Sequence, residues 1–363
     1  MRNNLSFTSL QPPASSLYVH MAKAKQIEGL DCDGEAGAGI RLVLLSWLDE
    51  MCGFREAALD WSDPEGVHDM RVASRRLRGA LKDFAPYLPR RGRFAEAREE
   101  VKRLARALGE VRDEDVAIGE LEKLKGDAPA EATAGLERLL SERGWGRGGA
   151  RERLSRALGE ETLEALRESF GGAVEAATRR KRRRKKGTSG AGGEADAEKD
   201  RGPSFREAGR GVIEQSWQEL EKLSGSLYRP LKPRRLHRMR IAAKRLRYAL
   251  ELFAPCWDGA TKAFAEEVSE LQGALGDLHD CDEWIAECGA RLSAESSATG
   301  GAEEGEREAH AERRAAGAWL LGHFAEERAR HYRRALVWWH AWEQGDFAAR
   351  LAACLAVDSE CVS

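Results

Sequence analysis

VHDMRVASRRLRGALKDFAP, residues 67–86, returns at residues 236–255 as LHRMRIAAKRLRYALELFAP, with twelve of the twenty aligned positions identical. Wound at about 100° per residue, the first stretch places Met70, Ala73, Leu77, Leu81 and Phe84 on one arc. His68, Arg71, Arg75, Arg78 and Lys82 take the opposite arc. The second sorts alike, with Met239, Ala242, Leu246, Leu250 and Phe253 against His237, Arg240, Lys244 and Arg247. Each stretch therefore predicts a helix with an apolar stripe to bury and a cationic stripe that begins at a histidine. Arg76 and Arg245 fall on the flank between the stripes. Exposed helix faces ordinarily mix signs to gain i,i+4 pairs. The first cationic face has no acid among Arg71, Arg75, Arg78 and Lys82, so it repels itself and calls for a compensating anion.

The 363 residues suffice for two domains of ordinary size or one duplicated unit with an ample core. The formal charge is only −2, so an anion site must come from local segregation of charge. Seven cysteines (Cys32, Cys52, Cys256, Cys281, Cys288, Cys354 and Cys361) form no CxxC pair. Their number and scatter predict free thiols in a reducing compartment, without a disulfide framework or a structural zinc. No apolar run is long enough to cross a bilayer, so no membrane association is expected. The N-terminus lacks a compact apolar core followed by a cleavage site, and the expected location is the cytoplasm.

In chain order, residues 1–35 read as a flexible lead-in rich in Ser, Pro and Gly. A first helical unit spans 36–178. It opens with a helix from Ile40 to Leu59, for which Leu44, Leu45, Trp47, Leu48 and Met51 are core candidates. Asp63 and Pro64 then suit the start of the first repeated helix. A second basic helix from Phe94 to Leu108 carries Lys102, Arg103 and Arg106. It is expected to close on a turn, LGEVRDED at 108–115, matched later by LGDLHDCD at 275–282. Gly144 to Gly149 predicts a further helix break. Residues 179–204 begin with eight consecutive cations, Arg179 to Lys186, and continue into Gly and acidic residues, a composition that builds no core and reads as a disordered linker. A second helical unit spans 205–353, with a loop expected at 290–309 and Trp217, Trp319, Trp338, Trp339 and Trp342 as anchors; 354–363 is a tail. No alternating strand pattern occurs. The predicted architecture is all-α, two similar helical bundles related by an internal duplication.

His68-x-x-Arg71-x-x-x-Arg75-Arg76-Leu77-Arg78, its second copy, and the two Leu-Gly-x-x-x-Asp-x-Asp segments resemble the CHAD family, the conserved histidine α-helical domain, over roughly residues 40–349. The resemblance implies two four-helix bundles around a pseudo-twofold axis. It also implies binding of inorganic polyphosphate along a basic surface, in some members at polyphosphate granules, where protein partners would also be met. By motif match it points to His68, Arg71, Arg75, Arg76 and Arg78 in the first half. In the second half it points to His237, Arg240, Lys244, Arg245 and Arg247. Some relatives carry a fused triphosphate tunnel domain; no ExExK signature of it is found, so that phosphohydrolase activity is not expected here. Lys102, Arg103 and Arg106 align with Ser269, Glu270 and Gly273, so the second half is less basic on that helix.

Arginine offers a planar fork that matches two phosphate oxygens and stays charged at any relevant pH. Cations one helical turn apart can follow a draped phosphate chain. The expected binding set is His68, Arg71, Arg75, Arg76, Arg78, Lys82, Lys102, Arg106, His237, Arg240, Lys244, Arg245 and Arg247, with no catalytic residue, metal or cofactor. Two other readings use the same residues. A nucleic-acid binder would use the basic rows and the 179–186 run, although no aromatic residue interleaves the first cationic stripe and Tyr248 alone flanks the second. A metal-dependent polyphosphatase would use Asp113, Asp115, Asp280 and Asp282 with a histidine to hold Mg²⁺. Capping and pairing with arginines is the simpler use of those acids.

Overall fold

The computed structural model describes residues 27–178, 202–297 and 304–357. Its helices are α1 (Ala36–Gly53), α2 (Arg55–Leu59), α3 (Glu65–Asp83), α4 (Arg93–Leu124), α5 (Ala130–Ala157), α6 (Glu160–Thr178), α7 (Phe205–Glu221), α8 (Pro233–Leu252), α9 (Thr261–Ser297), α10 (Glu304–Gln344) and α11 (Phe347–Ala356). No β-strand occurs among the described residues, only an isolated bridge between Glu35 and Ser204. The fold is all-α.

The two repeated stretches are helices α3 and α8, and their apolar arcs are the core. Met70, Ala73, Leu77, Leu81 and Phe84 are at most 2 % exposed, and Met239, Ala242, Leu246, Leu250 and Phe253 at most 3 %. Burying such side chains supplies most of what holds helices together. Local signals set the ends. The Asp63 carboxylate accepts the Glu65 backbone N–H at 2.9 Å as α3 begins. Ser204 and Glu207 form a capping box at the start of α7. After α3 and α8, Pro86 and Pro255 sit in short 3₁₀ turns, where a proline cannot continue the α-helix.

Helices α1, α3, α4 and α6 each pack on two of the others. In the second half α7 packs on α8, α8 on α9 and α9 on α10. The Trp217 ring of α7 closes that set against Trp339 and Trp342 of α10, at 6.3 and 6.2 Å. The halves join at α1 with α7 and at α3 with α8, and again where α5 packs on α10. Between the α1–α7 and α3–α8 joints the rings of Phe84, Phe205 and Phe253 form a triangle 5.0 to 6.1 Å on a side. Two glycines admit it: a Cβ on Gly39 would lie 2.4 Å from the Phe205 ring, and one on Gly209 would lie 2.4 Å from that of Phe253.

Several expectations are corrected. The segments 108–115 and 275–282 are not turns; they lie in mid-helix within α4 and α9. Their glycines each cost a helix about 1 kcal/mol, but the buried stripe of Leu104, Leu108, Val111, Ile118 and Leu121 runs through without losing register. Nor does Gly144–Gly149 break α5. Arg143 pairs with Glu114 and Glu287, and Arg147 with Asp115, holding that stretch helical against its neighbours. The loop expected at 290–309 is helical at both ends, to Ser297 and from Glu304. The first helix bends at Phe54, between α1 and α2, and the last runs to Ala356.

The cysteine expectation is also overturned. Cys32 and Cys256 form a disulfide, with their Cα atoms 5.3 Å apart across a sequence separation of 224. Sequence spacing carried no sign of it, because only the tertiary fold brings the pair together. Residues 31–35, assigned to the lead-in, are tied to α7. Arg206 binds the Asp33 carboxylate at 2.8 Å, and its backbone N–H donates to the Cys32 carbonyl at 2.7 Å. The cationic run at 179–186 lies outside the described residues. No helix among the described residues is long and apolar enough to cross a membrane.

Candidate functional site

Helices α3 and α8 meet with matched residues facing one another. Arg71 lies in the field of Arg240, and Lys244 in that of Arg75. A Cβ on Gly79 would stand 3.6 Å from the Tyr248 ring. Phe84 and Phe253 meet edge to face at 6.0 Å. Because these pairs keep their order along both helices, α3 and α8 run side by side in the same direction.

That contact merges the two cationic stripes. Arg71 and Arg75 from α3 converge with Arg240 and Lys244 from α8. The sides are closed by Arg112 of α4, which acts on His68 and Arg71, and by His279 of α9, whose ring lies 4.1 Å from that of His237. A Cβ on Gly276 of α9 would be 3.7 Å from Arg240 Nε, so the glycine leaves room for the guanidinium. Two acids border it: Asp113, itself largely exposed, accepts from Arg71 at 3.1 Å, and Asp280 of α9 lies in the field of Arg240 and Lys244. Among the described residues no carboxylate oxygen comes within 4.0 Å of the charged nitrogens of Arg75, Arg112, Arg240 or Lys244. Arg75 Nε, His68 Nε2 and His237 Nδ1 are shut off from solvent with no hydrogen-bond partner among the described residues. Buried polar atoms ordinarily have one.

The crowding of like charge is visible in the titrating groups. Burial, then Arg240, Arg75, Arg71 and Arg247, pull the Lys244 ammonium down to about 7. Burial lowers His237, with His279 and Arg240 adding to it. Burial lowers His68 too, and Arg112 pushes the same way. Arg71 is lowered by burial despite Asp113. The charged forms are thus disfavoured in the unliganded protein, and an anion would relieve them.

Not every expected cation is in this cluster. Arg78 and Lys82 are exposed further along α3, and Arg106 of α4 acts on Arg78. Lys102 pairs with Glu99 on its own helix. Arg76 is 3 % exposed and pairs with Glu50 of α1 at 3.4 Å. Arg245 binds Asp83 of α3 at 2.9 Å and also Glu219 of α7. Arg247 is 2 % exposed, bonded to Ser269 at 3.3 Å and paired with Glu251. These three arginines face inward, where an unpaired charge would be prohibitive, so they join helices. Glu50 and Glu219, at matched positions before each repeated stretch, were the available signal. Conversely, Arg112 and His279 were missed as site residues. They stand at matched positions inside the Leu-Gly segments, whose glycines read locally as turns, and a turn does not aim a side chain as a continuous helix does.

The aspartates do not gather. Asp115 pairs with Arg147 and Arg151, at 3.6 and 3.7 Å, and Asp282 with Arg328 at 2.6 Å. Among the described residues one group, Glu65, His68 and Asp69, brings three possible metal-ligand atoms within 4.8 Å. Arg112 and Arg75 act on that same histidine, which sets two guanidinium charges against a bound cation.

The CHAD domain family model matches residues 43–289, about two thirds of the sequence. The chain belongs to the CHAD family. Several solved structures share its fold. The CHAD domain from the plant Ricinus communis is 22 % identical, with TM-score 0.61, and the alignment covers 87 % of this chain and 95 % of that one. PptA from Streptomyces chartreusis is 16 % identical, with TM-score 0.56 and coverage of 85 % and 100 %. No curated protein matches the sequence. The CHAD residues matched include α3, α4, α8 and most of α9, the helices that build the cationic cluster.

Proposed function

We propose that this CHAD protein binds inorganic polyphosphate, without cleaving it, in the groove where α3 and α8 meet. The observation that carries the reading is the convergence of Arg71, Arg75, Arg112, Arg240 and Lys244, five cations bordered by two exposed acids, of which only Asp113 forms an ion pair with any of the five among the described residues. Such a cluster is self-repelling and suits a ligand that carries charge at every unit. The guanidinium forks meet phosphate oxygens in pairs, and Lys244 acts as a point charge. Nothing in the arrangement reads a base edge. Arg76, Arg245 and Arg247 serve as braces for α3 and α8 rather than as ligands. Location in the cytoplasm or at polyphosphate granules belongs to the same proposal, and it no longer draws on the cysteines, since a disulfide such as Cys32–Cys256 is uncommon in a reducing compartment.

The test is a titration with long-chain polyphosphate and with charge-matched single-stranded DNA, with free phosphate assayed in the same samples. Preferential binding of polyphosphate with no phosphate released is expected. Equal affinity for both polymers would make the groove a generic polyanion surface. Phosphate release dependent on Mg²⁺ would return Asp113 and Asp280 to consideration as metal ligands.

A further inference from the structure

The approach to α8 is as strongly basic as the cluster itself. Arg229, Lys232, Arg234, Arg235 and Arg238 are all exposed. Among the described residues none has a carboxylate within 4.0 Å. The segment is held rigidly. Arg328 donates to the Pro230 carbonyl at 2.6 Å, the Tyr332 hydroxyl donates to the Leu227 carbonyl, and Pro230 and Pro233 fix the backbone between. The matched approach to α3 carries the opposite sign. At the positions corresponding to Arg229, Lys232, Arg234 and Arg238 stand Asp60, Asp63, Glu65 and Asp69. Because α3 and α8 run in the same direction, these two entrances lie at the same end of the groove, one basic and one acidic. At the far end the bias reverses. Arg78, Lys82 and Arg106 border α3, whereas the matched positions on the α8 side hold the inward Arg247, Glu251 and Gly273.

Resting on the polyphosphate reading, we infer that the α8 entrance is a second docking surface for the same polyanion, and that the chain crosses the groove diagonally. It lies over Arg234, Arg235 and Arg238, passes the cluster of Arg240, Lys244, Arg71 and Arg75, and leaves along Arg78 and Arg106. The acids Asp60, Asp63, Glu65 and Asp69 steer it away from the α3 entrance. Six residues of helix separate Arg234 from Arg240, where the cluster begins, so this surface lengthens the track by about 9 Å. Chain length is then a determinant of affinity, since only a chain that spans both regions contacts both.

The experiment compares two polyphosphates at physiological salt, where screening confines each cation's influence to about 8 Å. One is just long enough for the cluster; the other is several times longer. The triple variant R234E/R235E/R238E changes exposed side chains and is expected to keep its helical signal and melting temperature. It should lose about tenfold or more in affinity for the long chain and several-fold less for the short chain, which feels chiefly the change at Arg238, two residues from Arg240. The pair E65R/D69R, which copies the α8 signs onto α3, should gain affinity for the long chain. Unchanged long-chain binding in the triple variant, or an equal loss for both lengths, would overturn the second surface while leaving the cluster standing. Failure of the unaltered protein to bind either length would overturn both.

Discussion

Neutralising two cations of the cluster tests the binding proposal through the salt dependence of affinity. Arg71, Arg75, Arg112, Arg240 and Lys244 converge, and Arg78 with Arg106 continues the row. Arg71 already shares Asp113, so about six cations are available to displace counterions from a phosphate chain. By analogy with single-stranded nucleic acid, the slope of log affinity against log salt is about −0.7 per contact, or about −4 in all, and a fourfold rise in salt should weaken binding by roughly 300-fold. The variant R75Q/R240Q removes two contacts and should reduce the slope to about −3. The assay is fluorescence or calorimetric titration with long-chain polyphosphate at three or more salt concentrations, with circular dichroism to confirm that the helices persist. Neither substitution breaks an ion pair among the described residues, so folding should survive. A slope unchanged in this variant would show that the two arginines do not touch the ligand and would refute the groove as the site.

Lys244 gives a signature of its own. Its folded pKa, about 7, lies below the ordinary lysine value. The destabilisation it causes is therefore complete below pH 7 and fades as pH rises towards the unfolded value. K244M should raise the melting temperature by a few degrees, most clearly at or below pH 7, while weakening polyphosphate binding. A bound polyanion raises the same pKa, so affinity should fall as pH climbs from 7 to 8.5, by at most about tenfold per unit for one proton. K244R should flatten that profile; a profile that stays steep in K244R would assign the titration elsewhere. The groups facing this ammonium are Arg71 and Arg75 from α3, Arg240 and Arg247 from α8, and Asp280 from α9. For the disulfide, a loop-entropy estimate for its separation of 224 gives about 5 kcal/mol as an upper figure. Reductant or C32S should lower the denaturation midpoint, and thiol titration should find two fewer thiols without reductant than with it. Gly209→Ala forces a methyl group against Phe253 and should destabilise by about 1–3 kcal/mol. Gly109→Ala, in mid-helix with open space around it, should stabilise by up to about 1 kcal/mol; equal effects of the two in urea denaturation would refute the packing argument.

The sequence by itself determined the helical class and the two organising helices. A buried stripe recurring every third and fourth residue can be satisfied by only one kind of element, and the apolar arcs from Met70 to Phe84 and from Met239 to Phe253 are buried as that spacing required. It also marked which residues are cationic. It could not sort them, because burial and ion pairing depend on what packs from a distance. Arg76 faces inward because α1 brings Glu50 to it, and Arg245 because α3 and α7 bring Asp83 and Glu219. Glycines inside α4, α5 and α9 read as breaks, since local propensity penalises them, yet continuous apolar stripes and ion pairs between helices outweighed that penalty. Only the tertiary structure joined Cys32 to Cys256, and only the parallel contact of α3 with α8 turned two separate cationic stripes into one groove. Like charges gather there because the buried faces of both helices dictate how they pack, leaving the cations no other side to occupy.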